Sequence, residues 1–357
     1  MLTMAEILNL NLLTLTATEA SQLLANGTIT SVDLVHAYLS QISQHNHAGL
    51  HLNALISLAP ASLLLSHATK LDTERASGHL RSPLHGIPIL LKDTYLTSTT
   101  STGLPTTAGS PCFLSSTSTQ NSPVVQKLLD AGLIILGKTN MTEFCGLKYS
   151  GMTPGWSPAG GQTQSPYIFG GLAENESLLG HSSPGGSSSG SAVGVAAGFA
   201  PLSLGTEAVG SVVTPANRAG LYALRCGGGT VDGRGNFRFA EGLDYVGCMG
   251  KSAEDVASLA AVVMGREHGF DLLKEAAVED VRVGFLDPGS WLLPEEVCPY
   301  PGDSKQQMLS GYRQAVGRVS GLGVEVMEDL GLALPWDKFK TAADKSLFYE
   351  TSSKWLA

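Results

Sequence analysis

The chain is poor in charge. Only 15% of its 357 residues are charged, against roughly 25% in a typical soluble domain. The formal net charge is −9 and no run of basic residues occurs. Nucleic acid is therefore not an expected partner. The five cysteines, at 112, 145, 226, 248 and 298, contain no C-x-x-C pair. That spacing indicates neither a zinc site nor a disulfide framework. An odd number of dispersed thiols suits a reducing compartment, so a cytoplasmic location is expected. No apolar run is long enough to span a bilayer. The small-xxx-small spacing of Gly190, Gly194 and Gly198 lies in a short, interrupted run and reads as close helix packing. Met1 to Leu15 is apolar but lacks the basic start of a signal peptide, and Glu6 argues further against one. No repeat, low-complexity tract or linker divides the chain, which reads as a single domain over residues 1–357.

What the sequence does hold is concentrated between Pro184 and Pro215. A small-residue loop, Gly185 to Gly190, precedes an alanine-rich helix from Ser191 to Phe199. The apolar run Leu202 to Leu204 then leads into a second loop, Gly205 to Ser211, before Pro215. Two serine-bearing turns are thus expected near each other, with backbone N–H groups free to face a ligand. That arrangement suits a serine nucleophile with an oxyanion hole. It equally suits a buried Gly/Ala helix between ordinary turns.

Two further motif matches carry little. Gly186-Ser187-Ser188-Ser189-Gly190 fits G-x-S-x-G, but the residues before it read as a turn, not the strand a nucleophile elbow needs. Gly132 to Thr139 fits the Walker A pattern, yet its four variable residues are Leu-Ile-Ile-Leu, which read as a buried strand. His45, His47 and His51 share a loop without a carboxylate or cysteine at ligand spacing, and read as solvated.

A better constellation is Ser187 and Ser211 with Lys92. Lys92 closes the apolar run Ile87–Leu91. Burial would disfavour its ammonium form and lower its pKa, allowing it to accept a proton. The plain alternative is a strand-end lysine that snorkels to water.

GGSSSGSA at Gly185–Ala192 and SLGTEAVGSVVTPA at Ser203–Ala216 resemble the amidase signature family. So do GIPILLKD at Gly86–Asp93, GLPTTAGS at Gly103–Ser110, LGKTNMTEF at Leu136–Phe144 and GLDYVGCMGKSAEDVA at Gly242–Ala257, all in the family's order. The signature region spans residues 85–260. The resemblance implies an α/β fold, a twisted mixed sheet with helices on both faces. It implies amide hydrolysis through an acyl-enzyme, with Ser211 as nucleophile, Ser187 as the bridging serine after a cis peptide bond, and Lys92 as base. It places the oxyanion hole at the N–H groups of Ala208, Val209, Gly210 and Ser211. It requires no metal or cofactor, and its substrate is a small amide. A homodimer is one assembly left open by the sequence.

The chain departs from the family where Val209 precedes Gly210, where Val213 replaces a common arginine, and where Ser189 replaces a common glycine. Typical members also continue beyond this chain's last residue, so the family's later strands are expected to be absent after residue 357. Two alternatives follow: a truncated, catalytically inactive homologue, or an amidotransferase component that supplies ammonia to a partner enzyme.

Elsewhere, Thr16 to Glu19 forms a capping box for a helix ending near Gly27. Ser31 is expected to cap a second helix, and Leu55–Leu58 reads as a strand. Helices are expected over Ala59–Leu71, Pro123–Leu129, Ala253–Met264, Gln306–Val319 and Thr341–Ala357. Strands are expected at Leu133–Leu136, Leu221–Leu224, Val281–Leu286 and Val324–Met327. Met141 to Gly171, rich in Gly, Pro and Gln, reads either as a functional wall or as a surface loop.

Overall fold

The computed structural model describes residues 10–148, 152–238, 242, 244–266, 281–293, 295 and 297–331. The chain divides into two compact units: Met1–Glu176 with His181–Phe270, and Ser177–Gly180 with Asp271–Ala357. The helix expected over 341–357 lies outside the described residues.

Among the described residues, the first unit holds eight strands. They are β1 (Leu55–Leu58), β2 (Pro88–Lys92), β3 (Ile134–Thr139), β4 (Trp156–Ser157), β5 (Gly161–Gln162), β6 (Leu202–Glu207), β7 (Tyr222–Arg225) and β8 (Tyr245–Gly250). β4 and β5 form a small hairpin of their own. The other six make one sheet in the order β1-β3-β2-β6-β8-β7. β2 runs parallel to both β3 and β6, and the other pairings are antiparallel. The sheet is therefore mixed, as expected. β2, β3 and β6 are buried along their whole length. Their apolar runs, Ile89-Leu90-Leu91 and Ile134-Ile135-Leu136, are what a strand covered on both faces requires.

Helices cover both faces. Ile89 pairs with Leu202 and Leu90 with Ser203, so Leu90 and Leu202 point to opposite sides. The Ser189–Ala196 helix lies on the Leu90 side, so close that a Cβ on Gly194 would sit 2.7 Å from Leu90 Cδ1. The Ala253–Met264 helix lies on the other, where Val256 and Leu202 both approach Gly250. Burying each such Leu or Val side chain stabilises the fold by about 1.5–3 kcal/mol.

Several boundaries shift from the sequence reading. The strand expected at Leu133–Leu136 runs Ile134–Thr139, so Gly137, Lys138 and Thr139 of the discounted Walker A match lie inside β3 and pair with β2. The second loop starts at Ala208 and not at Gly205. β6 continues through Gly205, Thr206 and Glu207 because Gly247, Val246 and Tyr245 of β8 are there to pair with them. The Ser31–His45 helix is capped by Thr30, whose side chain accepts the Asp33 N–H while Asp33 reaches back to the Thr30 N–H. The third helix runs Ala61–Ala76, with Pro60 at its N-cap. The capping box at Thr16 and the Ala253–Met264 helix stand as expected.

Asp255 ties these ends together. Buried on the Ala253–Met264 helix, its carboxylate accepts the Ala17 N–H (3.0 Å), the Thr18 N–H (2.9 Å) and the Thr18 hydroxyl (2.9 Å). It thereby satisfies two of the N–H groups that the first turn of the Ala17–Ala25 helix leaves unpaired.

In the second unit, β9 (Arg282–Leu286) and β10 (Glu325–Leu330) pair in parallel across the Ser304–Ser320 helix. Tyr312 of that helix stacks edge-on against Phe285 at 5.7 Å and donates its hydroxyl to the Leu286 carbonyl.

Candidate active site

Lys92 is the last residue of β2 and is fully buried. Its side chain lies on the Leu90 side of the sheet, the side of the Ser189–Ala196 helix and of Ser187. Lys92 Nζ donates to Ser187 Oγ at 2.8 Å and to the Thr206 carbonyl at 3.1 Å. Burial lowers its pKa from the ordinary lysine value; Cys145, Asp244 and Glu207 oppose that shift more weakly. The lysine therefore does not snorkel, and burial makes its ammonium form less favourable than that of a solvated lysine.

Ser187 is 5% exposed, and the peptide bond between Gly186 and Ser187 is cis. The Ser187 carbonyl accepts the Thr142 N–H at 3.1 Å. The loop is tightly enclosed: a Cβ on Gly190 would fall 2.2 Å from the Ala54 carbonyl and 2.6 Å from the Asn140 nitrogen. Ser189, where the family commonly has glycine, fits because its hydroxyl donates back to the Gly185 carbonyl.

Ser188 stands apart from this chemistry. It is fully buried, donates its hydroxyl to the Thr206 carbonyl (3.2 Å) and accepts the Thr206 N–H (3.3 Å). No strand precedes it. Both facts remove the G-x-S-x-G elbow.

The second serine loop meets the first directly, as the Ser188 N–H donates to the Ser211 carbonyl at 3.1 Å. Among the described residues, the N–H groups of Ala208, Val209, Gly210 and Ser211 donate to no hydrogen bond. Val209 is 86% exposed and Val213 45%. The rim around Ser211 is thus apolar, with open backbone donors between two valines.

Sequence reading missed what holds that loop. Glu207, at the end of β6, accepts the N–H groups of Val212 (2.7 Å) and Val213 (2.9 Å) through one carboxylate oxygen. Its other oxygen lies 3.5 Å from Arg225, which stacks over the Tyr245 ring at 4.3 Å. The carboxylate therefore fixes the backbone just after Ser211. The only sequence signal was an acid five residues before an N–H, a spacing no capping rule covers. Among the described residues, no cluster of His, Cys, Asp or Glu could hold a metal ion. No described helix is long and apolar enough to cross a membrane.

The 152–167 stretch packs against this site. Asn140 donates to the carbonyls of Asn53 (3.1 Å) and Gly161 (2.9 Å), and the Gly155 N–H donates to Thr142 Oγ1 (2.9 Å). The Tyr167 hydroxyl reaches the Ala219 carbonyl at 2.7 Å, just past the Val213–Arg218 helix.

Comparison with known proteins converges on one group. The family profile described as Amidase matches residues 33–288. A putative amidase of Schizosaccharomyces pombe is 34% identical over 247 residues, 69% of this chain and 39% of that protein. A glutamyl-tRNA(Gln) amidotransferase component from Symbiobacterium thermophilum is 38% identical over 252 residues, 70% of this chain and 47% of that protein. Among solved structures, the peptide amidase of Stenotrophomonas maltophilia matches at a TM-score of 0.73 and 29% identity, covering 95% of this chain and 72% of its own. An amidase family protein of Bacillus anthracis matches at 0.77 and 26% identity, covering 93% and 64%. The chain spans half or less of the length of these two curated relatives.

Proposed function

Because this chain belongs to the amidase family, we propose that it hydrolyses a carboxylic amide to an acid and ammonia or an amine. Ser211 is the nucleophile, Ser187 the bridging serine and Lys92 the base. The observation that carries the reading is the 2.8 Å hydrogen bond from a fully buried lysine to a serine of the 185–190 loop.

Neutral Lys92 takes the proton of Ser187, and Ser187 takes the proton of Ser211. Ser211 Oγ attacks the amide carbon, and the carbonyl oxygen gains the negative charge. The N–H groups of Ala208, Val209, Gly210 and Ser211 receive that oxyanion. The relay returns its proton to the leaving nitrogen, the C–N bond breaks, and an ester to Ser211 remains. Water, deprotonated through the same relay, adds to the ester and releases the acid and the free serine. Glu207 helps hold those donors in place by fixing the backbone that immediately follows Ser211.

Hydroxylamine tests this reading. During turnover of a simple carboxamide, an acyl-enzyme diverts part of the acyl group to a hydroxamate while ammonia release continues. Ammonia release with no hydroxamate at any hydroxylamine concentration would contradict the covalent route.

The 38% identity to an amidotransferase component favours a second reading. In it the amide is that of glutamine, and the ammonia passes to a partner enzyme. Copurification with an aminoacyl-tRNA-modifying enzyme distinguishes it from a free amidase.

A further inference from the structure

A second buried lysine lies behind the first. Lys138 of β3 is fully buried, and its neighbour Thr139 pairs with Lys92 across the β2–β3 ladder. The proposed mechanism gives Lys138 no role, yet a buried cation is costly unless something holds it. Its Nζ donates to the Tyr95 carbonyl (2.6 Å) and to Thr106 Oγ1 (2.9 Å), and lies 3.5 Å from Asp93 Oδ1. Asp93 directly follows Lys92. Its carboxylate also accepts the Thr107 N–H at 3.1 Å, the Thr107 hydroxyl, and the Gly109 N–H at 3.3 Å.

This cluster holds the chain on the far side of Lys92 at several points. The Tyr95 hydroxyl donates to the Gly205 carbonyl at 2.6 Å, one residue before the Thr206 carbonyl that receives Lys92. The Asp93 carbonyl accepts the Ala108 N–H, and the Ala108 carbonyl accepts the Phe144 N–H. Phe144 belongs to the turn whose Thr142 N–H holds Ser187. The 93–95 segment follows Lys92 and the 142–146 turn holds Ser187, and the 104–110 loop links the two.

We infer that Lys138 is a positioning residue. As a cation it anchors Asp93 and the Tyr95 carbonyl, and so fixes Lys92 Nζ between Ser187 and Thr206. The inference rests on the Ser211–Ser187–Lys92 reading above. It assigns the two buried lysines opposite working states: Lys92 acts when neutral, Lys138 when charged. The charged group facing Lys138 is Asp93, and the other titratable side chain at the cluster is Tyr95, whose phenol burial keeps protonated. Burial brings the Lys138 pKa down to about 8, with Asp93 opposing the fall. Above that pH the lysine loses its proton, and the Asp93 carboxylate is left with the Thr107 and Gly109 donors but no cation.

The test follows the rate of Ser211 phosphonylation by an organophosphonate, and kcat where turnover is measured, from pH 6 to 10. The wild type is expected to lose reactivity above about pH 8. Lys138→Arg keeps its charge throughout this range, so its alkaline loss should move upward or vanish. Lys138→Met should lower kcat on the order of 10²-fold, leave KM nearly unchanged, and show no alkaline loss. Wild-type phosphonylation that stays flat to pH 10 overturns the inference without any variant. So does a Lys138→Met enzyme with wild-type kcat. Complete lack of label on the folded wild type overturns the triad reading itself, and this inference with it.

Discussion

Lys92 Nζ and Ser187 Oγ lie 2.8 Å apart, with the lysine fully buried. The pair joins β2 to a loop nearly a hundred residues later in the chain. The lysine's second bond, to the Thr206 carbonyl, brings in the strand that ends at the Ser211 loop.

The first prediction concerns pH. The Lys92 pKa lies below the ordinary lysine value because burial penalises the ammonium form. The active species is the neutral amine, so the acid limb of kcat/KM should rise through an apparent pKa below that of free lysine, ahead of the alkaline loss that Lys138 sets above about pH 8. Lys92→Ala should lose on the order of 10²–10⁴ in rate. Steady-state kinetics across pH check both. A Lys92→Ala enzyme with unchanged turnover would remove Lys92 from the mechanism.

The second concerns the turn after Ser211. Glu207→Ala removes the acceptor of two backbone N–H groups and should cost about 3 kcal/mol of stability, together with much of the Ser211 reactivity. Glu207→Gln keeps an acceptor and should cost about 1 kcal/mol. Urea unfolding beside phosphonylation rates reads the two effects separately. Equal behaviour of both variants and the wild type would show that the carboxylate does not hold the turn.

Much of this geometry was legible in the sequence, for identifiable reasons. The apolar run Ile87–Leu91 left Lys92 either buried or snorkelling, and the structure buries it; the ordered small-residue blocks pointed to where the two serine loops meet. What the sequence hid depended on partners distant along the chain. Gly205, Thr206 and Glu207 read as a loop because glycine and polar residues rarely signal a strand; only their pairing with β8 makes them one. Lys138 and Asp93 are 45 residues apart and meet through the β2–β3 pairing. Asp255 caps a helix 238 residues before it. The cap of the Ser31–His45 helix was misplaced by one residue, since Ser31 is the better cap by composition while Thr30 alone has Asp33 three residues on to complete a capping box.

The third prediction uses Asp255, which is remote in role from the chemistry. Asp255→Ala strips the first turn of the Ala17–Ala25 helix of its acceptor and should cost about 3 kcal/mol. Ser211 reactivity in the folded fraction should stay at the wild-type level. Thermal unfolding and active-site titration of the same sample check the pair of outcomes. A large fall in reactivity per folded molecule would show that this helix end bears on the site.

The fourth concerns packing at the first serine loop. Gly190→Ala places a methyl against the Ala54 carbonyl and the Asn140 nitrogen, both backbone atoms with little room to move. Overpacking of this kind costs about 1–3 kcal/mol. The displaced loop should also weaken the Ser187–Lys92 contact, lowering kcat along with stability. A Gly190→Ala protein as stable and active as the wild type would contradict the enclosed geometry of that loop.

The most direct test of the account is to label the folded protein with an organophosphonate and locate the adduct by peptide mass spectrometry. The account predicts a single adduct on Ser211, formed slowly in Lys92→Ala and in Ser187→Ala. An adduct on Ser188, or no adduct on any serine of the folded chain, would contradict it.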